Sequence, residues 1–443
     1  MGDSMTQIAA EASYANQFAD LQKKAPLPGC LGALRDDAFE CFDRLGFPTR
    51  RLESWRFTNI APIAETNFVQ PTDRQDYTRN AFNAMGLPKL GGVEFVFLNG
   101  TYAPSLSTID GLPDGLRVRS LGEVLDNDPD TVIPHLGRIA RFEHQAFTAL
   151  NTAFLRDGAV VEVPEGIVVG EPIHLIFITS STGLPTLCQP RVLVIAGATS
   201  QVQVVESHVG TDVASYLNNA VTEVSVGDQA TVDHYTIVLE GESAFRVGNL
   251  QASVGRASNF SSHTITLSGA IVRNEASVVL EGEGGECTLN GLYLASGRQL
   301  VDNQTTIDHA RPHCDSHELY KGVLDGQSSA VFNGKIVVRL DAQKTDAKQS
   351  NKALLLSEDA QVTTKPQLEI FADDVKCTHG ATVGQLDPDS LFYLRSRALS
   401  EQQARQVLIH AFAADLLGHI KVGAVRQQLD SILLDRLPML SGS

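Results

Sequence analysis

Three groups of residues in this chain have types and spacings that could do chemistry. His309, His313, Cys314 and His317 fall within nine positions, and imidazoles four apart on a helix would share a face and could hold a metal. Pro312 breaks such a helix, so a polar loop or strand edge accounts for the segment equally well. Cys377-Thr378-His379 sets a thiol and an imidazole two residues apart, which on a strand turns both to one face. There the imidazole can lower the thiol pKa and the two form a soft ligand pair, with packing of two buried or rim residues as the competing account. Glu281, Glu283 and Glu286 could serve a sugar lyase or hydrolase only if spread along neighbouring coils of a groove. Falling in one turn, they read more simply as a solvated acidic edge.

Other chemistries are excluded by what the sequence lacks. It contains no G-x-x-x-x-G-K-[ST] phosphate loop and no G-x-S-x-G elbow. Gly282-Glu283-Gly284-Gly285-Glu286 lacks the third glycine of a dinucleotide fingerprint and carries carboxylates where pyrophosphate would sit, so it reads as a turn. The six cysteines, at 30, 41, 188, 287, 314 and 377, include no C-x-x-C pair, which removes the usual frames for a zinc ribbon or a ferredoxin-type cluster.

The elements that must position these residues are of two kinds. Ile8, Ala12, Ala15, Phe18 and Leu21 recur at threes and fours and predict a helix, and a second helix over Leu31–Leu45 stops at Gly46-Phe47-Pro48. From about Val93 the texture becomes short Val, Ile, Thr and Ser runs, such as Val192–Ile195 and Val202–Val205, which predict strands. Between them lie similar small-residue turns at 196–200, 226–230, 254–258, 281–285 and 324–328, the first four at a spacing of roughly 27 to 30 residues. No helical crossover separates the strands, so βαβ units are disfavoured and a sandwich or a parallel β-helix remains, the repeat favouring the β-helix. Asp387-Pro388 caps a returning helix, Ser400 and Gln403 form a capping box, and Ala404, Val407, Leu408, Ala411, Phe412 and Leu416 make one apolar stripe. Val425, Leu429, Ile432, Leu433 and Leu437 mark a last helix. The expected organisation is an N-terminal helical segment (1–89), a β-helix core (90–385) whose open ends the helical segments cover, and a C-terminal helical segment (386–443).

Composition sets the class. Over 443 residues, 43% hydrophobic and 20% charged content suits a globular chain of more than one part. With 35 Lys plus Arg against 52 Asp plus Glu, the net charge of -17 disfavours nucleic acid and anionic lipid as partners. No apolar run approaches a membrane span, and Asp3, Glu11 and Asp20 sit where a signal peptide would be apolar, so the expected location is the cytoplasm.

Several motifs, in order, resemble the SufB/SufD family: Glu53-Ser54-Trp55-Arg56-Phe57-Thr58, Tyr320-Lys321-Gly322-Val323-Leu324, Val331-Phe332-Asn333-Gly334-Lys335-Ile336, Ala342-Gln343-Lys344-Thr345-Asp346-Ala347, Asn351-Lys352-Ala353-Leu354-Leu355-Leu356 and His379-Gly380-Ala381-Thr382-Val383-Gly384. The likeness is dense from about 290 to 420 and only compositional between roughly 60 and 280. It implies a right-handed parallel β-helix flanked by helices, acting as a non-catalytic scaffold in iron-sulfur cluster assembly. SufB-type subunits carry a Cys and a Glu at places that here hold Asn351 and Gly380, which puts independent persulfide chemistry in doubt.

The resemblance further implies pairing with a SufB-like subunit, Cys377 and His379 as nascent-cluster ligands at that interface, and a transient iron-sulfur cluster shared with the partner. It implies a SufC-like ABC ATPase docked on the C-terminal helices, where Arg397, Glu401, Arg405 and Phe412 are the candidate contacts. A reduced flavin is associated with the complex of that family, but no flavin site is recognisable in this sequence. A homodimer in isolation is the remaining partner expectation; a β-helix carbohydrate-active enzyme and a self-associating solenoid without a cluster role are the alternative functions.

Overall fold

The computed structural model describes residues 2–440 except 28, 72–76, 86, 110, 181–182 and 212–214, with side chains from 13 to 436; the stripe positions Ile8, Ala12 and Leu437 lie outside the described side chains. The short Val- and Thr-rich runs form strands because each buries alternate side chains in a lumen. On Ser329–Val338 the even residues Ala330, Phe332, Gly334, Ile336 and Val338 are buried while Asn333, Lys335 and Val337 are partly exposed. The strands stack into two ten-stranded sheets that face one another as a parallel β-solenoid. Among the described residues every ladder from Ile173 onward is parallel, and antiparallel pairing is confined to the start, as at Phe97 with Tyr102, Glu94 with Thr108 and Arg117 with Glu162. The first sheet ends in the strand Lys376–Gly384 and the second in Gln361–Ile370.

The recurring turns are the corners of this stack. At one corner a residue of left-handed conformation closes each turn: Thr199 (φ 57°), Gln229 (59°), Ala257 (52°), Gly284 (70°), His313 (58°) and Lys344 (63°). Each donates its N–H to a carbonyl of the next coil, as Gln229 does to Arg256 (2.8 Å), Ala257 to Glu283 (2.9 Å) and His313 to Gln343 (2.9 Å). The turn at 324–328 broke the sequence period because it lies at the opposite corner, where Gln327 N–H donates to the Gly297 carbonyl (2.7 Å).

Within the 90–385 span, Glu94–Leu98 joins the first sheet beside Ile173–Thr179, but between Leu98 and Gly158 only Thr101–Tyr102 and Arg117–Ser120 add strands to the sheets, and the remaining described residues leave the coil. They include the helix Ala146–Ala153, every residue of which from Phe147 onward is buried. That helix and the N-terminal helices Gly2–Lys24 and Gly29–Leu45 form an aromatic cluster on the outer face of the second sheet, with Tyr14, Phe18, Phe42, Trp55, Phe147 and Leu217 at its centre. Sequence periodicity gave no warning of Ala146–Ala153, because a helix buried on all sides has no polar face to set a period.

The C-terminal helices Pro388–Ser396, Glu401–Leu417 and Gly423–Leu440 begin as expected: Asp387 accepts from the Asp389 and Ser390 N–H groups, and Ser400 with Gln403 forms the capping box. They do not cover the solenoid's end. Glu401–Leu417 and Gly423–Leu440 lie along the outer face of the first sheet, where Val205, Tyr235, Ile237, Ile265, Leu292 and Val323 point away from the lumen and would otherwise meet water, while no residue of Pro388–Ser396 is buried. The stripe of Glu401–Leu417 is also rotated: Ala404 and Leu416 are buried as expected, but Ile409, Ala413 and Leu417 complete the packed face while Val407 is 45% exposed. Apolar residues from 407 to 417 ring most of this helix, so the sequence admitted more than one face.

Candidate functional site

Parallel register carries a side chain on one coil directly beside its counterpart on the next, so the lumen holds columns of stacked residues. One runs from His379 to Gln349 and Glu318, and its neighbour runs from Cys377 to Ala347 and Ser316. Cys377 and His379 therefore share the inward face of the last strand. Cys377 is half-buried and packs with Ile336, Val338, Ala342, Ala347 and Ala372, while His379 is exposed at the rim. Burial pushes the Cys377 thiol up, the Ala347 N–H opposes the shift and Asp346 adds to it. The imidazole two residues away is not among the groups that act on this thiol, so it does not lower it as the sequence spacing suggested.

The rim is open. Nearly every residue of Lys376–Gly384 is exposed, and Gln361–Ile370 is partly exposed along its length. Ile370, Phe371 and Val383 stand at 39%, 60% and 44% exposure around it. Two terminal strands thus present backbone donors and acceptors beside a fringe of apolar side chains.

Below the rim the lumen is polar. Gln349 donates Nε2–H to Glu318 Oε2 (2.7 Å), and Asn351 donates Nδ2–H to Thr364 Oγ1 (3.0 Å). Burial pushes the Glu318 carboxyl up to about 7, the bond from Gln349 opposing it. Deeper still, Glu206 lies within hydrogen-bond reach of His208 (3.2 Å) and His234 (2.9 Å), and His208, desolvated, falls to about 4. Tyr320 fills the space over Gly291, and Tyr293 fills the space over Gly322, so each glycine makes room for the ring of the adjacent coil. These lumen groups escaped the sequence reading because their proximity depends on a register roughly 30 residues long.

The other sequence candidates disperse. His309 turns inward and lies 2.9 Å from Ser316 Oγ, Cys314 is buried, His313 is an exposed corner residue and His317 faces outward. Among the described residues no three His, Cys, Asp or Glu side chains converge to hold a metal ion. Glu281, Glu283 and Glu286 are exposed at one corner, and Glu286 accepts from Asn259 Nδ2 (2.8 Å). Of the C-terminal candidates, Arg397 is exposed and donates to Tyr393 Oη (3.1 Å), Glu401 pairs with Arg395 (3.3 Å), and Arg405 is half-buried near the Leu356 carbonyl (3.5 Å). Phe412 is half-buried with the Lys321 ammonium 4.9 Å from its ring centre. Phe392, at 75% exposure, was not among the candidates although it is the most exposed large apolar side chain described.

The Glu53–Thr58 motif forms a strap. Trp55 is buried beneath the Arg273 guanidinium at 3.6 Å and stacks on Phe147; Arg273 also donates to the Ser54 carbonyl (2.9 Å), and Glu53 pairs with Lys365. Asn351 is buried and bonded, and at Gly380 a side chain would meet open space. No helix among the described residues is long and apolar enough to cross a membrane.

The sequence matches two family models end to end: the SufBD protein N-terminal region over residues 9–175 and the SUF system FeS cluster assembly SufBD core domain over 177–412. It is 31% identical to an iron-sulfur cluster assembly SufBD family protein of Synechocystis, covering 97% of both chains. It is also 31% identical to the iron-sulfur cluster assembly protein SufD of Escherichia coli, over 89% of this chain and 90% of that one, and 26% identical to SufD of Bacillus subtilis, over 97% and 98%. With the likeness running along almost the whole chain, the chain belongs to the SufBD family of iron-sulfur cluster assembly proteins, in which it is SufD-like.

Proposed function

We propose that this chain is a non-catalytic scaffold subunit that pairs with a SufB-like subunit through the open rim and helps hold a nascent iron-sulfur cluster there. The observation that carries this reading is the pairing of Cys377 and His379 on the inward face of a terminal strand that nothing described covers. A thiolate and an imidazole suit iron, but two ligands are too few for a cluster, so the partner supplies the others. The bare edges of Lys376–Gly384 and Gln361–Ile370, with Ile370, Phe371 and Val383 beside them, offer backbone and apolar contacts to a second solenoid. The cluster is cargo in this reading, and the place of action is the cytoplasm. Anaerobic reconstitution with ferrous iron and sulfide, with and without the SufB-like subunit, tests it. Cluster absorbance is expected only with the partner and is lowered in Cys377→Ala and His379→Ala, both of which leave the subunits associated. Undiminished assembly in both variants refutes the site, and a cluster-free homodimer that excludes the partner would favour the self-associating alternative.

The C-terminal helices dock the SufC-like ATPase in the same reading. Support comes from Phe392 and Tyr393, 75% and 57% exposed on a helix with no buried residue, and from Val407, 45% exposed on the helix seated on the first sheet. Arg397, Glu401 and Arg405 flank them and orient the contact, whereas Phe412 is engaged with Lys321 inside the chain. Deleting everything after Asp387 would bare the apolar outer face of the first sheet, so Phe392→Ser and Val407→Ser are the better variants. Loss of ATPase binding in both by calorimetry is expected; unchanged affinity would move the docking surface elsewhere.

A further inference from the structure

In the lumen column beneath His379, Gln349 is buried to 3% exposure and only one end of its amide is used. Nε2–H is committed to Glu318 Oε2 at 2.7 Å, while Oε1 is buried without a hydrogen-bond partner. A buried amide oxygen left unpaired carries an uncompensated desolvation cost, so its presence calls for a use. The register places Gln349 beside His379 on the same inward face, and His379 is exposed at the rim. Gly334 across the lumen leaves the space that the Gln349 amide occupies, since a side chain there would collide with it. An ionised Glu318 fixes the amide's sense: the N–H end faces the carboxylate, and the oxygen is left for another donor.

We propose that Gln349 is the positioning residue for His379, its Oε1 accepting one ring N–H of the imidazole when a partner orders the rim, so that the other ring nitrogen is turned to iron. This rests on His379 being a ligand. It completes the arrangement that metal-bound imidazoles require, in which the second ring nitrogen donates to a fixed acceptor and the tautomer is thereby set. No atom of Gln349 touches the metal. Glu318 acts one step further back, holding the amide from the coil below.

The test uses the full chain, labelled with ¹⁵N-histidine and bound to the SufB-like subunit, at about pH 8, where Glu318 is ionised. Two-bond ¹⁵N–¹H spectra are expected to show one neutral tautomer of His379 in the wild type and a mixture in Gln349→Met. Glu318→Gln keeps an acceptor for the amide and should keep the single tautomer. Ferrous iron supplied with sulfide should be held about 10–100-fold more weakly by the Gln349→Met complex. Should Gln349→Met fail to fold, Gln349→Asn, which keeps a lumen amide but withdraws it by one methylene, serves the same comparison. A tautomer unchanged in the folded variant overturns this inference alone. Iron retention unchanged in His379→Ala overturns instead the ligand reading on which it rests.

Discussion

Burial decides what single residues in the lumen can do, and it acts with opposite sign on acids and bases. The Glu318 carboxyl rises from an ordinary value of 4.5 to about 7, so the native chain holds this proton more tightly than the unfolded one. The resulting stability is complete below about pH 4.5 and is lost as pH climbs through 7. Glu318→Gln removes that loss: relative to wild type, the variant should gain up to about 3 kcal/mol at pH 8 over its value at pH 4.5, read from urea unfolding at the two pH values. A second residue-scale effect concerns backbone conformation. Ala257 is held at φ 52°, a conformation that costs a residue with a Cβ about 1–2 kcal/mol. Since glycine also loses more freedom on folding, Ala257→Gly should raise stability by about 0.5–1 kcal/mol in chemical denaturation. The pair Cys377 and His379 was legible in the sequence because strand parity is local: residues two apart share a face. Gln349 and Glu318 were not, because they meet only through a register between coils. The histidines near 309–317 misled for the complementary reason, since they straddle a corner that sends some inward and others to solvent.

At the scale of elements, the solenoid strands and their corners could be read directly, because a repeat prints the same turn on each coil. The seating of the C-terminal helices could not, since an apolar stripe reveals that a helix is covered but not which surface covers it. One contact that holds them is Lys321, whose side chain is 4% exposed and whose ammonium donates to the Phe412 carbonyl (3.0 Å) and pairs with Asp415. Its partner Asp415 is largely exposed, so solvent screens part of the attraction and the main cost of removing the lysine is the loss of its bond to the Phe412 carbonyl and of its own buried stem. Lys321→Ala should therefore destabilise the chain by about 1–3 kcal/mol. Amide exchange should quicken in Glu401–Leu417 well before it does in the lumen strands. Equal acceleration throughout would mean that the helices unfold only together with the solenoid.

For the molecule as a whole, acid is the condition that its buried imidazoles tolerate least, both in the lumen (His208, His309) and on the outer face of the first sheet (His174, His263). His174, His208, His263 and His309 are all held neutral by desolvation, at about 3 for His174 and about 4 for the other three. Each is more basic when unfolded, so its contribution is present above about pH 6.5 and is lost as pH falls toward 4. The unfolding midpoint should drop steeply between pH 6.5 and 4.5, and His309→Gln should make that drop shallower; an unchanged slope would assign acid sensitivity to the carboxylates instead. The corner ladder has a different consequence, for how such a chain can change length over evolutionary time. Each corner residue must donate to the coil above it, so a few inserted residues would break the ladder, whereas a whole coil of roughly 30 residues can be added or lost with every rung preserved. Since each coil advances the stack by about 4.8 Å, viable lengths form a discrete series, and the solenoid is a ruler that sets how far its rim stands from the helices at its side.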